Sequence, residues 1–433
     1  MPAHPDLTAA ERRVLDAVDA VAKSGDLVRD LTDLVAIPSV TGSDAELDAQ
    51  RWTARRLEAL DLEVDLWQFD LDHLQAQPGY PGTEAPRSQG WGLVGTQPGD
   101  GPVLILQGHL DVVPPGDLDG WGGHDPYLAR PGRAGGTDVL IGRGCCDMKA
   151  GVVANLAAVA ALNAAGVRPA GRIAVHAVIG EEDGGLGAFG TLARGHRGDA
   201  CIITEPTGGR VITATAGALT FRLEVPGRSA HGSARYEGVS AVEAFERVHR
   251  ALHELERERC ADPDPLMAGY PIPYPLAVGR VQAGDWASTV PDLLVAEGRY
   301  GVRLDETPDD ARAAFEAAVA RACADDPWLR DHPVRVTWWG GQFAPGRLPA
   351  GHPLLPTVQS AWARTTGRPE PAALGAPYGS DLRLYAQQGV PTLHLGPGDV
   401  RQAHSAGEYV PVHEIAEVAG TLAITAMRLL GVR

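Results

Sequence analysis

Four short apolar runs, VLILQ at 103–107, IAVHAVIG at 173–180, ACIIT at 200–204 and PTLHLG at 391–396, are each bounded by turn residues. Runs of this length with little polar alternation suit strands buried on both faces. Between the first two lies an alanine-rich stretch, Lys149 to Ala165, closed by Gly166, which reads as a helix. Buried strands alternating with helices give an α/β sheet with helices on both faces. At 433 residues the chain exceeds one compact core, so two domains, or one with a large insertion, are expected.

The middle of the chain breaks the pattern. From about Thr213 to Val336 there are strand-like runs, LTFRLEV at 219–225 and DLLVAEGRYGV at 292–302. Two amphipathic helices accompany them, one opened by the S-A-V-E capping box at Ser240 and one following Pro308. We therefore expect an α+β insert over 213–335 in a discontinuous first domain, 1–212 and 336–433, whose sheet resumes near Trp339. Elsewhere, Thr8 begins a T-A-A-E capping box for a helix to about Lys23, a second helical stretch covers Asp44 to Leu60, and the Pro- and Gly-rich segment 75–92 reads as a surface excursion.

The acids and histidines fall at particular places along this framework. His109 and Asp111 follow the first run in QGHLDVVP, Glu181 and Glu182 follow the second in IGEEDGG, and Glu205 follows the third in TEPTGG. Asp147 sits in GRGCCDMKAG and His404 in RQAHSAGEYV. Each alone fits a bland role: a hydrogen-bonded pair at a strand end, a solvated acidic turn, a cap, a surface histidine. Their shared placement argues otherwise, because the crevice of an open α/β sheet lies outside the carboxyl ends of its strands. Two carboxylates about 4 Å apart repel by roughly 4 kcal/mol at an effective dielectric of about 20, so such a crowd needs cations or protons. Two divalent metals meet that need, and mixed imidazole and carboxylate donors suit zinc, cobalt or manganese better than calcium.

Charge and composition remove several classes. The net charge of −17, with 55 acidic against 38 basic residues, disfavours nucleic acid and anionic membranes as partners. No apolar run reaches spanning length and the N-terminus lacks a signal-peptide pattern, so a cytoplasmic location is expected. The five cysteines, with no C-x-x-C pair, read as reduced thiols. GGLGAFG carries the G-x-G-x-x-G spacing of a dinucleotide site, yet Glu181, Glu182 and Asp183 stand where they would repel a pyrophosphate. That leaves an NAD-dependent oxidoreductase as a remote alternative. A thiol nucleophile at Cys145 or Cys146 lacks a recognisable signature, and there is no G-x-S-x-G elbow or Walker A run. A non-catalytic metal-binding protein gives the extra acid of the Glu181–Glu182 pair nothing to do.

Taken in order, GHLDVVP, GRGCCDMKAG, EEDGG, TEPT, GRSAHGS, STVPD and AHSAGEYV resemble the di-metal aminoacylase/carboxypeptidase family, in its acetylornithine deacetylase and succinyl-diaminopimelate desuccinylase branch. The resemblance implies a mixed-sheet catalytic domain and a ferredoxin-like insert serving as lid and dimerisation domain. It also implies that Asp147 bridges two metals, with His109 and Glu205 completing one site and Glu182 and His404 the other. Glu181 is then the general base, Asp111 the acid that orients His109, His231 the lid histidine that stabilises the oxyanion, and Arg299 the grip on a substrate carboxylate. The implied partners are a small N-acyl substrate and a second copy of the chain. The implied reaction is hydrolysis of an N-acyl amino acid or small N-acyl amine; a dipeptidase, a carboxypeptidase or an N-formyl amine deformylase would use the same site. Ser288 stands where many members have asparagine.

Overall fold

A computed structural model describes residues 7–433, which divide into two compact units. The first takes residues 7–213, Arg347–Leu374 and Leu384–Arg433; the second takes Ala214–Gly346 and Gly375–Arg383.

The first unit is built on a mixed sheet. The four apolar runs become strands β1 (Val103–His109), β2 (Arg172–Val178), β3 (Ala200–Pro206) and β4 (Thr392–Gly396). β1 pairs in parallel with both β2 and β3, and β4 lies parallel to β3 on its far side. Beyond β2 the strands Trp91–Thr96 and Glu63–Gln68 run antiparallel. Helix α1 (Lys149–Ala164) is buried around most of its circumference, which explains why it is made of alanine, valine and leucine with no polar stripe. The Thr8 capping box forms, with the Thr8 N–H donating to Glu11 at 2.7 Å and the Glu11 N–H donating back at 3.2 Å. Asp26–Val35 is a further helix beyond those expected from the sequence.

The second unit has an antiparallel sheet in the order Leu276–Ala283, Leu293–Val302, Gly217–Pro226, Arg335–Phe343. Helices Ala241–Arg259 and Pro308–Ala324 bury Val248, Leu252 and Phe315 in a core shared with Leu219, Phe221 and Leu223. Here the sequence expectation needs correction: the chain does not return to the large sheet near Trp339. Strand Arg335–Phe343 pairs antiparallel with Gly217–Pro226, with Trp338 opposite Phe221, and the Trp338 ring packs 5.2 Å from Phe315. The ring contact and the strand ladder outweigh the boundary drawn at 336. Residues 375–383, expected in the first domain, also belong to the second unit.

Candidate metal centre

Parallel pairing sets the carboxyl ends of β1, β2 and β3 side by side, with His109 in register with Val178. β1 ends at His109, β2 runs into the turn bearing Glu181 and Glu182, and Glu205 lies in the last residues of β3. Asp147 occupies the turn into α1, and His404 a loop after Val400–Gln402. His404 holds φ +61, a region L residues seldom adopt, which marks a backbone fixed by its surroundings.

These residues converge. His109 Nε2 is 3.2 Å from Asp147 Oδ1 and 3.7 Å from Glu205 Oε1. His404 Nε2 is 3.1 Å from Glu182 Oε2 and 3.6 Å from Asp147 Oδ2. The two oxygens of Asp147 thus face two different imidazoles. Potential ligand atoms of His109, Glu181 and Glu205 lie within 4.8 Å of one another, as do those of His109, Asp147 and Glu182. Burial disfavours charge on His109, but Glu205, Asp147 and Asp111 outweigh it and hold its pKa well above the ordinary imidazole value. The hydrogen bond that the His404 ring donates to the Glu182 carboxylate lifts His404 to about 9 against the opposing effect of burial. Burial, with Asp147 adding to it, pushes Glu182 up.

This donor set fits two divalent cations. The Nδ1 of His109 lies 2.9 Å from the Asp111 carbonyl oxygen, so that nitrogen is committed and Nε2 is left as the donor facing the acids. The part expected of the Asp111 carboxylate takes a different form, since its Oδ1 is 3.6 Å from the ring. The carboxylate instead accepts the Thr41 hydroxyl at 2.9 Å and the backbone N–H groups of Glu181 and Glu182 at 3.2 and 3.3 Å. Asp111 therefore fixes the imidazole through its backbone and the acidic turn through its side chain.

Two residues absent from the sequence reading support the centre. Glu408 accepts the N–H groups of Cys146 and Asp147 at 2.8 and 2.9 Å and pairs with Arg143 at 2.5 Å, both side chains being buried. Arg143 also donates to the His404 carbonyl at 3.3 Å. The paired cysteines are both buried: burial pushes both thiols up, and Cys146 Sγ donates to the Asp399 carbonyl at 3.3 Å. In GGLGAFG, Gly185 adopts φ +90 to start the eight-residue helix Leu186–Ala193, and a Cβ at Gly187 would collide with the Ile179 backbone. The glycines serve a tight turn and a close helix approach.

His231 and Arg299 lie in the second unit. His231 Nδ1 is 2.8 Å from the Ser233 hydroxyl, and its loop is tied to STVPD by Gly232 N–H donating to the Ser288 carbonyl at 2.6 Å. The Arg299 guanidinium lies 5.4 Å from the centre of the Phe343 ring. Among the described residues no helix is long and apolar enough to cross a membrane.

The chain is similar to known proteins over most of its length. The sequence profile of peptidase family M20/M25/M40 matches residues 105–428. The chain is 28% identical to an N-formyl-4-amino-5-aminomethyl-2-methylpyrimidine deformylase of Bacillus subtilis, over 85% of this chain and 86% of that one. It is 32% identical to a succinyl-diaminopimelate desuccinylase of Leptothrix cholodnii, over 84% of this chain and 89% of that one. Its fold is that of a dipeptidase of Saccharomyces cerevisiae, with TM-score 0.75 and 15% identity, covering 96% of this chain and 98% of that one.

Proposed function

The chain belongs to peptidase family M20/M25/M40 and is a metallohydrolase of amide or peptide bonds, and on that basis we propose that it removes the acyl group from an N-acyl amino acid or small N-acyl amine. The observation that supports this most is the division of Asp147 between two imidazoles, Oδ1 at 3.2 Å from His109 and Oδ2 at 3.6 Å from His404.

In this reading His109, Glu205 and Asp147 would hold one cation, and Glu182, His404 and Asp147 the second. Zinc is the first candidate, with cobalt or manganese as alternatives. When bound, the ions polarise the amide carbonyl and acidify the attacking water. Glu181 takes the proton of that water and later delivers it to the departing nitrogen, leaving an amine and a carboxylic acid. Asp111 keeps Glu181 in place through the N–H it accepts at 3.2 Å. In the second unit, His231 is assigned the oxyanion and Arg299 a substrate carboxylate, and that unit is assigned the contact between two copies of the chain. The deformylase and desuccinylase relatives are named for removing a formyl and a succinyl group, which favours deacylation, and relatives named as probable carboxypeptidases keep peptide cleavage as the second reading.

A panel of N-formyl, N-acetyl and N-succinyl amines and amino acids beside dipeptides, assayed with zinc or cobalt, tests the proposal. Turnover is expected on the acylated compounds, with Glu181→Gln abolishing it while about two ions per chain are retained. Hydrolysis of dipeptides alone, or full activity of the Glu181→Gln variant, would sink it.

A further inference from the structure

The Pro- and Gly-rich excursion at 75–92 has no part in the chemistry above, yet it carries a buried arginine. The Arg87 side chain is 4% exposed and makes two ion pairs, Nη1 with Glu46 at 2.8 Å and Nη2 with Asp183 at 3.2 Å. Asp183 directly follows Glu181 and Glu182, and its Oδ2 also accepts the backbone N–H groups of Glu84 and Ala85 at 3.1 and 2.9 Å. Three donors from the excursion therefore converge on one carboxylate of the acidic turn.

The contact is close along its whole length. A Cβ at Gly180, where φ is +65, would lie 3.1 Å from Arg87 Nη2, and one at Gly184 would collide with the Gly82 carbonyl. The turn closes on itself by the Gly185 N–H donating to the Gly180 carbonyl at 2.6 Å. On its other side, the Glu181 and Glu182 N–H groups are held by Asp111. The turn is thus pinned by its amides from one side and by the Asp183 carboxylate from the other.

We infer that Arg87 is a positioning residue for the Glu181–Glu182 turn, acting through Asp183. A guanidinium suits this task because its rigid fork spans two carboxylates at once, whereas an ammonium is a point charge on a flexible stem. Without Arg87, the Glu46 and Asp183 carboxylates lose the cation they share in a buried setting, and the turn loses the side-chain anchor on its Asp183 side. Repulsion between the two carboxylates then shifts the turn. The inference rests on the proposed roles of Glu181 as base and Glu182 as ligand.

The test compares Arg87→Met, Arg87→Lys and Asp183→Asn with the unaltered protein, using N-formyl and N-succinyl amine substrates and, separately, cobalt titration of metal-free protein. For R87M we expect kcat to fall at least tenfold with KM changed less than twofold, since Arg87 is shielded from substrate. One of the two cobalt ions should bind at least tenfold more weakly, and R87K should recover part of both losses. Folded R87M with unchanged kcat and unchanged cobalt binding, or R87K no better than R87M, would overturn the inference. If circular dichroism shows R87M unfolded, D183N carries the same expectations and the same overturning result. Should the unaltered protein cleave none of the amides, the deacylase reading fails alone, and the cobalt titration still decides the role of Arg87.

Discussion

The carboxylate of Glu408 accepts the backbone N–H of Asp147 at 2.9 Å. Its other oxygen takes Arg143, whose second terminal nitrogen reaches the His404 carbonyl. One ion pair therefore fixes the turn of the shared carboxylate and the loop of a histidine more than 250 residues away. Both side chains are almost wholly buried, so water does not screen them. Breaking a buried pair by removing one partner costs about 3–5 kcal/mol, because the remaining charge is left uncompensated. Glu408→Ala is predicted to lower unfolding stability by about that amount and to weaken metal binding. Urea denaturation would read it, and a loss below about 1 kcal/mol would show that the pair is not what holds the turn.

The convergence of His109, Glu181, Glu182 and Glu205 is legible in the sequence because each stands near the end of a short apolar run, and parallel strands bring their ends together wherever they pair, whereas Asp147 and His404 lie in turns and loops and stand out only through the family resemblance. Glu408 is hidden in a Gly-Glu step that looks like an ordinary loop acid; what marks it is contact with residues near 143–147. Arg87 is hidden for the same reason, since its partner Asp183 is 96 positions away. Helix Asp26–Val35 is locally visible, with Leu27, Leu31, Leu34 and Val35 on one buried face. It escapes a reading by caps because Gly25, at φ +81, looks only like the end of the preceding helix, while it also opens the next. The 336 boundary fails because strand Arg335–Phe343 finds its partner more than a hundred residues back, a pairing that no local pattern encodes.

Gly151 sets how closely α1 approaches β3. A Cβ there would come within 2.7 Å of the Thr204 hydroxyl and collide with the Thr204 carbonyl, next to Glu205. Alanine would gain about 1 kcal/mol of helix propensity, while overpacking against a fixed backbone costs about 1–3 kcal/mol. The carbonyl belongs to a central strand and cannot give way, so overpacking wins. Gly151→Ala should be less stable in urea and bind zinc more weakly, as the helix that the Asp147 turn leads into is pushed from Glu205. A variant more stable than the parent, with unchanged affinity, would refute this account.

Chelation should destabilise the fold as well as stop the reaction. Burial, with Asp147 adding to it, raises the proton affinity of Glu182, and bound cations would relieve that cost in the folded state alone. Ligand at about a hundred times its dissociation constant adds about 2.7 kcal/mol per site. Metal-free protein should therefore melt several degrees lower in calorimetry, with zinc or cobalt restoring the midpoint. Equal melting temperatures with and without metal would count against a built cation site.

Two buried histidines that are not among the proposed metal ligands should govern part of the acid response. Burial, aided by His196, holds His176 down to about 3, and burial alone holds His394 down to about 3. His176 is sealed by its 3.0 Å contact with the Tyr385 hydroxyl. Both rings stay neutral in the folded chain, while in the unfolded chain they take up protons near the ordinary imidazole value of about 6.5. The unfolded state then binds more protons below that pH. The stabilising contribution is present in full above about 6.5 and is lost as pH falls towards 3, at about 1.4 kcal/mol per unit for each ring. His394→Gln removes one such ring, so its stability deficit should shrink by about that amount per unit between pH 6 and 4.5 in metal-free urea titrations. Comparing variant with parent at each pH cancels the other titrating groups. A deficit that stays constant from pH 7.5 to 4.5 would mean that His394 is not held neutral by burial.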